Sequence, residues 1–149
     1  MESIIRRFTD EEFIELFSTA TYGNPAFDID SHTVEDWNNA TGECFEDKVL
    51  DILKRGGTVD FLDQYAEDAD NKNGLYADTA VWDKRGHFMR YPVTEKDIYE
   101  RLNVALESAE DKRYLQKIVS QLAEGSDEFD MFSGWNICQF IMFGDYIYG

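Results

Sequence analysis

The sequence predicts an α+β fold: about five helices packed with a small three-stranded antiparallel meander, in a single domain covering residues 1–149. Three observations predict it. Apolar residues recur at helical spacing toward both ends of the chain, bounded by capping residues and glycines. A central block alternates instead and is punctuated by Asn73-Gly74 and Arg85-Gly86. The 149 residues are 43% hydrophobic and 15% aromatic, which supplies one core despite the high charge.

The first helix starts at Thr9, whose spacing to Glu12 is that of a capping box; Asp10 and Glu11 suit the positive helix N-terminus. Phe13, Ile14, Phe17 and Ala20 then share one face, and Gly23-Asn24-Pro25 ends the helix. Residues 27–41 carry no clear pattern beyond Thr33 with Asp36, a cap for a short helical turn holding Trp37. Residues 43–55 read as a helix with Phe45, Val49, Ile52 and Leu53 inward. Lys54 and Arg55 complement its last turn and Gly56-Gly57 stops it.

The alternating block follows. Residues 58–65 place Val59, Phe61 and Tyr65 on one side of a strand. Polar residues 66–72 lead to Asn73-Gly74, a strong hairpin signal, and residues 75–82 read as the return strand. Arg85-Gly86 marks a second turn and residues 87–93 a third strand. Thr94 with Asp97 caps the next helix, with Ile98, Leu102, Ala105 and Leu106 inward. Residues 110–124 form another, burying Tyr114, Leu115, Ile118, Val119 and Leu122 and ending at Gly125. After the acidic turn Ser126-Asp127-Glu128, residues 135–143 leave almost no polar face, the pattern of a central core helix.

Charge is the most informative property for function. The chain has 31 acidic and 14 basic residues, a formal net charge of −17. Such a charge opposes direct binding to nucleic-acid phosphates or to an anionic membrane and favours a basic protein partner. From residue 56 to 83, Asp60, Asp63, Glu67, Asp68, Asp70, Asp78 and Asp83 face a lone Lys72. The next stretch reverses: Lys84, Arg85, His87 and Arg90 lie among Trp82, Phe88 and Tyr91. Basic and aromatic residues interleaved in this way can mark a nucleic-acid surface, but in so acidic a chain pairing with neighbouring carboxylates is the better expectation.

No catalytic or metal motif emerges, and no cofactor is expected. Residues 68–74 fail as a calcium loop in both registers: starting at Asp68 puts Lys72 at position 5 and Thr79 at position 12, and aligning Gly74 with position 6 puts alanines at positions 1 and 12. Glu67, Asp68 and Asp70 leave room only for a weak, irregular cation site. His32 and His87 are the only histidines, and Cys44 and Cys138 match no metal or redox spacing. Each cysteine reads as a small apolar residue. The first seven residues lack the apolar run of a secretory leader, and residues 135–143 are too few to span a bilayer, so a cytoplasmic setting is expected.

Two stretches carry a resemblance. One runs from Cys44-Phe45-Glu46-Asp47-Lys48-Val49 through Leu53-Lys54-Arg55-Gly56-Gly57. The other is Ile137-Cys138-Gln139-Phe140-Ile141-Met142-Phe143-Gly144-Asp145-Tyr146-Ile147-Tyr148-Gly149. They resemble small acidic proteins of unknown function from phages and other mobile elements of bacteria. In size and charge, though not in motif, the chain is also similar to antirestriction and anti-CRISPR proteins. That resemblance implies no catalytic residues. It implies an inhibitor that presents carboxylates where a host defence enzyme expects phosphates, acting in the bacterial cytoplasm. On this reading Asp60, Asp63, Glu67, Asp68, Asp70 and Asp78 meet the basic, nucleic-acid-handling surface of the partner. Two alternatives stay open: an adaptor anchored by aromatics such as Trp82 and Tyr91, and an enzyme using carboxylates and a metal.

Overall fold

The computed structural model describes residues 5–148. The leader reading of residues 1–4, and Gly149 of the C-terminal resemblance, lie outside them. Among the described residues the fold is α+β, with six α-helices and a four-stranded antiparallel sheet.

Local chemistry sets most helix ends. Helix α1 (Asp10–Thr21) carries the expected box: Glu12 N donates to Thr9 Oγ1 at 3.1 Å, and Thr9 N to Glu12 Oε1 at 2.8 Å. Helix α2 (Val34–Asn39) is capped by Thr33, and α3 (Phe45–Lys54) ends against Gly56 at φ 82°. Helix α4 (Glu95–Ser108) has the reciprocal Thr94–Asp97 bonds. Helix α5 (Lys112–Glu124) closes on Gly125 in the left-handed region. Helix α6 (Met131–Phe143) starts at the Asp130 cap and buries nearly every residue from Ser133 onward, packed against α1, α4 and α5.

Polar Gln139 sits inside this apolar helix. Its Oε1 accepts from Ile147 N and Tyr148 N, both at 2.8 Å, and its Nε2 donates to Asn136 Oδ1 and to Tyr148 O. Three of these four bonds fasten the segment after α6 and the fourth stays within the helix, so the side chain is buried without an unmet polar group.

The sheet differs from the expected meander. A strand that the sequence pattern had not revealed, β1 (Phe27–Ser31), pairs with β2 (Val59–Asp63). Strand β2 then pairs with β4 (Phe88–Val93), and β4 with the three-residue β3 (Val81–Asp83), in the order β1-β2-β4-β3. The Arg85-Gly86 turn between β3 and β4 forms as expected. The Asn73-Gly74 hairpin does not, and most of the expected return strand 75–82 is loop with a 3₁₀ turn (Ala77–Thr79). Gly74 serves another purpose. Its positive φ of 79° and lack of a Cβ let the loop pass against the end of α6, where Leu75 N donates to Phe143 O at 2.9 Å; a Cβ there would collide with the Phe143 backbone.

Strand β1 escaped the sequence reading because acids fill its alternate positions. They have a local role. His32 N donates to Thr58 O and Ala26 O accepts from Gln64 N, so the even-numbered residues bond to β2 and the odd-numbered N–H groups face the open edge. There Asp28 Oδ1 accepts from Ile29 N and Asp30 Oδ1 from Ser31 N, each at 2.8 Å. The edge donors of Ile29 and Ser31, which another chain would pair with, are already occupied, and by charged groups.

The register divides the sheet into two faces. Phe27, Ile29, Val59, Phe61, Met89, Tyr91 and Val93 point to the helices and build the core. Asp28, Asp30, Asp60, Leu62, Asp83 and Arg90 lie on the other side.

Candidate partner-binding surface

The six acids singled out in the sequence separate into two groups. Glu67, Asp68, Asp70 and Asp78 are exposed on the loop between β2 and β3. Asp60 and Asp63 are only 2% and 1% exposed, which removes both from any displayed surface. Strand β2 lies inside the sheet and, unlike its equally central neighbour β4, is buried at every residue. The alternation that turns Val59 and Phe61 inward turns Asp63 inward as well.

Each buried acid has a partner of its own. Asp60 lies beneath Arg90, whose guanidinium reaches Asp30 and Asp60 at 3.1 Å and Asp83 at 2.9 Å. His32 Nδ1 lies 2.9 Å from the other oxygen of Asp60. The basic–aromatic stretch thus supplies an internal cation at Arg90, whereas Lys84 and Arg85 make no ion pair among the described residues. Asp83 is held below the usual carboxylate range, first by the Gly86 N–H and also by Arg90. On the core side, Asp63 accepts from Tyr148 Oη at 2.9 Å and from Tyr65 N at 3.0 Å. Burial nevertheless pushes its carboxyl up.

Aromatic anchors fare no better. Tyr91 is wholly buried, with its hydroxyl accepting from Asn73 N at 2.9 Å, and Trp82 is half-buried. Tyr91 is therefore not a surface anchor. The exposed loop acids organise their own backbone: Asp68 Oδ1 accepts from Asp70 N, and Asn71 Oδ1 from Glu67 N. Among the described residues no three of His, Cys, Asp and Glu are grouped so as to hold a metal ion. Burial raises the Cys138 thiol, and the carboxylates around exposed Cys44, Glu46 foremost, raise that one, so neither is poised as a thiolate.

An acidic concavity lies elsewhere, where α1 meets the end of α5. Glu11, Glu12 and Glu15 from α1 face Glu124 and Asp127 across an open groove of about 780 Å³. The single cation in its wall among the described residues, Arg6, is already bound to Glu12, with Nη1 to Oε1 at 2.8 Å, an interaction that lowers the Glu12 carboxyl and raises Arg6. Glu11, Glu15, Glu124 and Asp127 have no ion-pair partner among the described residues. The C-terminus of α5 adds its negative dipole end to the same place. In the sequence Glu11 and Glu12 belong to a helix start, Glu124 to a helix end and Asp127 to a turn, nothing singles out Glu15, and the two sets lie more than a hundred positions apart along the chain. Their common wall is a tertiary product.

No family model, curated protein or solved structure matches this chain.

What the groove can do follows from its chemistry. Solvated carboxylates on two helices are suited to ammonium and guanidinium groups. Each exposed pair is worth about 0–1 kcal/mol, so binding there relies on several pairs and on electrostatic steering. No helix of the described residues is long and apolar enough to cross a membrane.

Proposed function

We propose that the protein is a non-catalytic binding protein that occludes a basic, nucleic-acid-handling surface of a partner protein. The observation that carries this reading is the groove between α1 and α5, where five carboxylates meet one already-paired guanidinium. The net charge of −17 supports it, because that field accelerates encounter with a cationic surface. Carboxylates fixed on α1, at the end of α5 and in the turn after it replace the phosphates that such a partner ordinarily meets. The acids Glu67, Asp68, Asp70 and Asp78 extend the negative field without the concavity.

The test is a binding assay against purified bacterial nucleases and restriction enzymes, titrated with salt and with the enzymes' own nucleic acid. Affinity is expected to fall steeply with salt, and nucleic acid to compete. The variant Glu11→Gln, Glu15→Gln, Glu124→Gln, Asp127→Asn should slow association about tenfold or more, with smaller effects when Glu67, Asp68, Asp70 and Asp78 are neutralised together. Salt-insensitive binding in which nucleic acid does not compete would overturn the proposal.

A further inference from the structure

A second concavity has the opposite character. Leu75, Val104 and Ile147 stand 67%, 41% and 45% exposed around a groove of about 330 Å³, whose wall continues through Ala109 and Phe143. Three separate parts of the chain meet here: the loop after β2, the outer side of α4 and the segment after α6. Large apolar side chains at the surface are ordinary when scattered; gathered around a cavity they mark a contact site.

The groove is preformed. Its floor is the crossing of Gly74-Leu75 over Phe143-Gly144, two glycines in the left-handed region locked by the Leu75 N to Phe143 O bond. The tail bearing Ile147 is fastened by both functional groups of Gln139. A partner therefore meets walls that need not be ordered first, which lowers the cost of binding.

The rim decides what that partner is. Glu110 and Asp145 flank the apolar floor, and Asp111 stands next to them. Asp145 accepts from Glu110 N and Tyr146 N but has no cation among the described residues, and Glu110 and Asp111 have none either. Their combined field raises the Tyr146 phenol, Asp111 having the largest effect. A second copy of this chain would bring another −17 to the same rim, so self-association is opposed.

We infer that this groove seats an apolar side chain projecting from a cationic segment of the partner protein, whose flanking lysines or arginines meet Glu110, Asp111 and Asp145. The inference rests on the reading of a basic partner and adds a second contact, which supplies the desolvated anchor that carboxylates in open solvent lack.

The experiment uses the full chain with labelled methyl groups and a synthetic amphipathic peptide of leucine and lysine. Two control peptides replace leucine by alanine or lysine by glutamate. The leucine–lysine peptide should shift the methyl resonances of Leu75, Val104, Ala109 and Ile147. Its affinity should drop about tenfold in the variant Leu75→Ser, Val104→Ser, whose changes are at exposed positions, and with the alanine peptide. Equal binding of the alanine peptide at these methyls, equal binding of the glutamate peptide, or a concentration-dependent dimer using this face would each overturn the inference. Silent methyls with the leucine–lysine peptide would do the same. The α1–α5 groove variant keeps the two readings apart. If it binds the leucine–lysine peptide at these methyls while the parent's nuclease binding is insensitive to salt and to competing nucleic acid, the occlusion proposal falls and the apolar groove stands.

Discussion

Asp63 shows how one residue changes meaning between chain and fold. It sits on the core side of β2, bonded to Tyr148 and to the Tyr65 N–H. Burial raises its carboxyl above the ordinary value more than these donors lower it. With a folded value above the unfolded one, its favourable contribution is complete at acid pH and is lost as pH rises through the folded value. Glu12 and Asp83 have the opposite sign: both are depressed, and their contributions are lost as pH falls. Asp63→Asn should therefore gain stability relative to the parent as pH goes from about 4 to about 7, as read by urea denaturation at each pH. Asp63→Ala should cost about 1–3 kcal/mol at either pH, because it strands the Tyr148 hydroxyl and the Tyr65 amide. A parent–Asn difference that does not change with pH would show that the carboxyl titrates like a free acid.

Elements are joined by a few close approaches, and glycine positions separate joining from mere termination. Gly74 and Gly125 both have left-handed φ, 79° and 64°. At Gly125 a Cβ meets nothing, whereas at Gly74 it meets the backbone of Phe143. Gly125→Ala should cost about 1 kcal/mol, for backbone strain alone. Gly74→Ala should cost about 2–3 kcal/mol, because the loop must also lift off α6. Thermal melts of the two variants decide this, and equal costs would mean that the loop shifts without resistance. The same comparison explains the failed hairpin. Asn73-Gly74 offers a positive φ, which a type I′ turn and a close helix crossing both require. Local sequence does not distinguish those uses; the position of Phe143 does.

For the whole molecule, charge opposes compactness. With a net charge of −17, the main electrostatic effect on stability is self-repulsion. Raising salt to about 1 M, where screening acts over about 3 Å, should raise the melting temperature. Neutralising Glu67, Asp68, Asp70 and Asp78 together should move it in the same direction, since all four are exposed and unpaired among the described residues. A melting temperature that falls with salt would mean that the cluster around Arg90, with its three carboxylates, outweighs the repulsion.

Much of the helical frame was legible from local sequence. Thr9, Thr94 and Gly125 act on groups within four residues of themselves, so their roles need no knowledge of the fold. The uniformly apolar run in α6 could satisfy itself only at the centre of a core, and there it lies. Strand β1 was not legible, because Asp28 and Asp30 depress strand propensity while sealing an edge that exists only once β2 is beside it. The acidic surface divides in the same way. Composition alone gives a net charge of −17, which opposes binding to phosphates and favours cationic partners. Which carboxylates remain free was decided by long-range packing. It buried Asp60 under Arg90 and Asp63 under Tyr148, and it brought Glu11 and Glu15 opposite Glu124 and Asp127, because a charge's partners are set by distance in space and not by position along the chain.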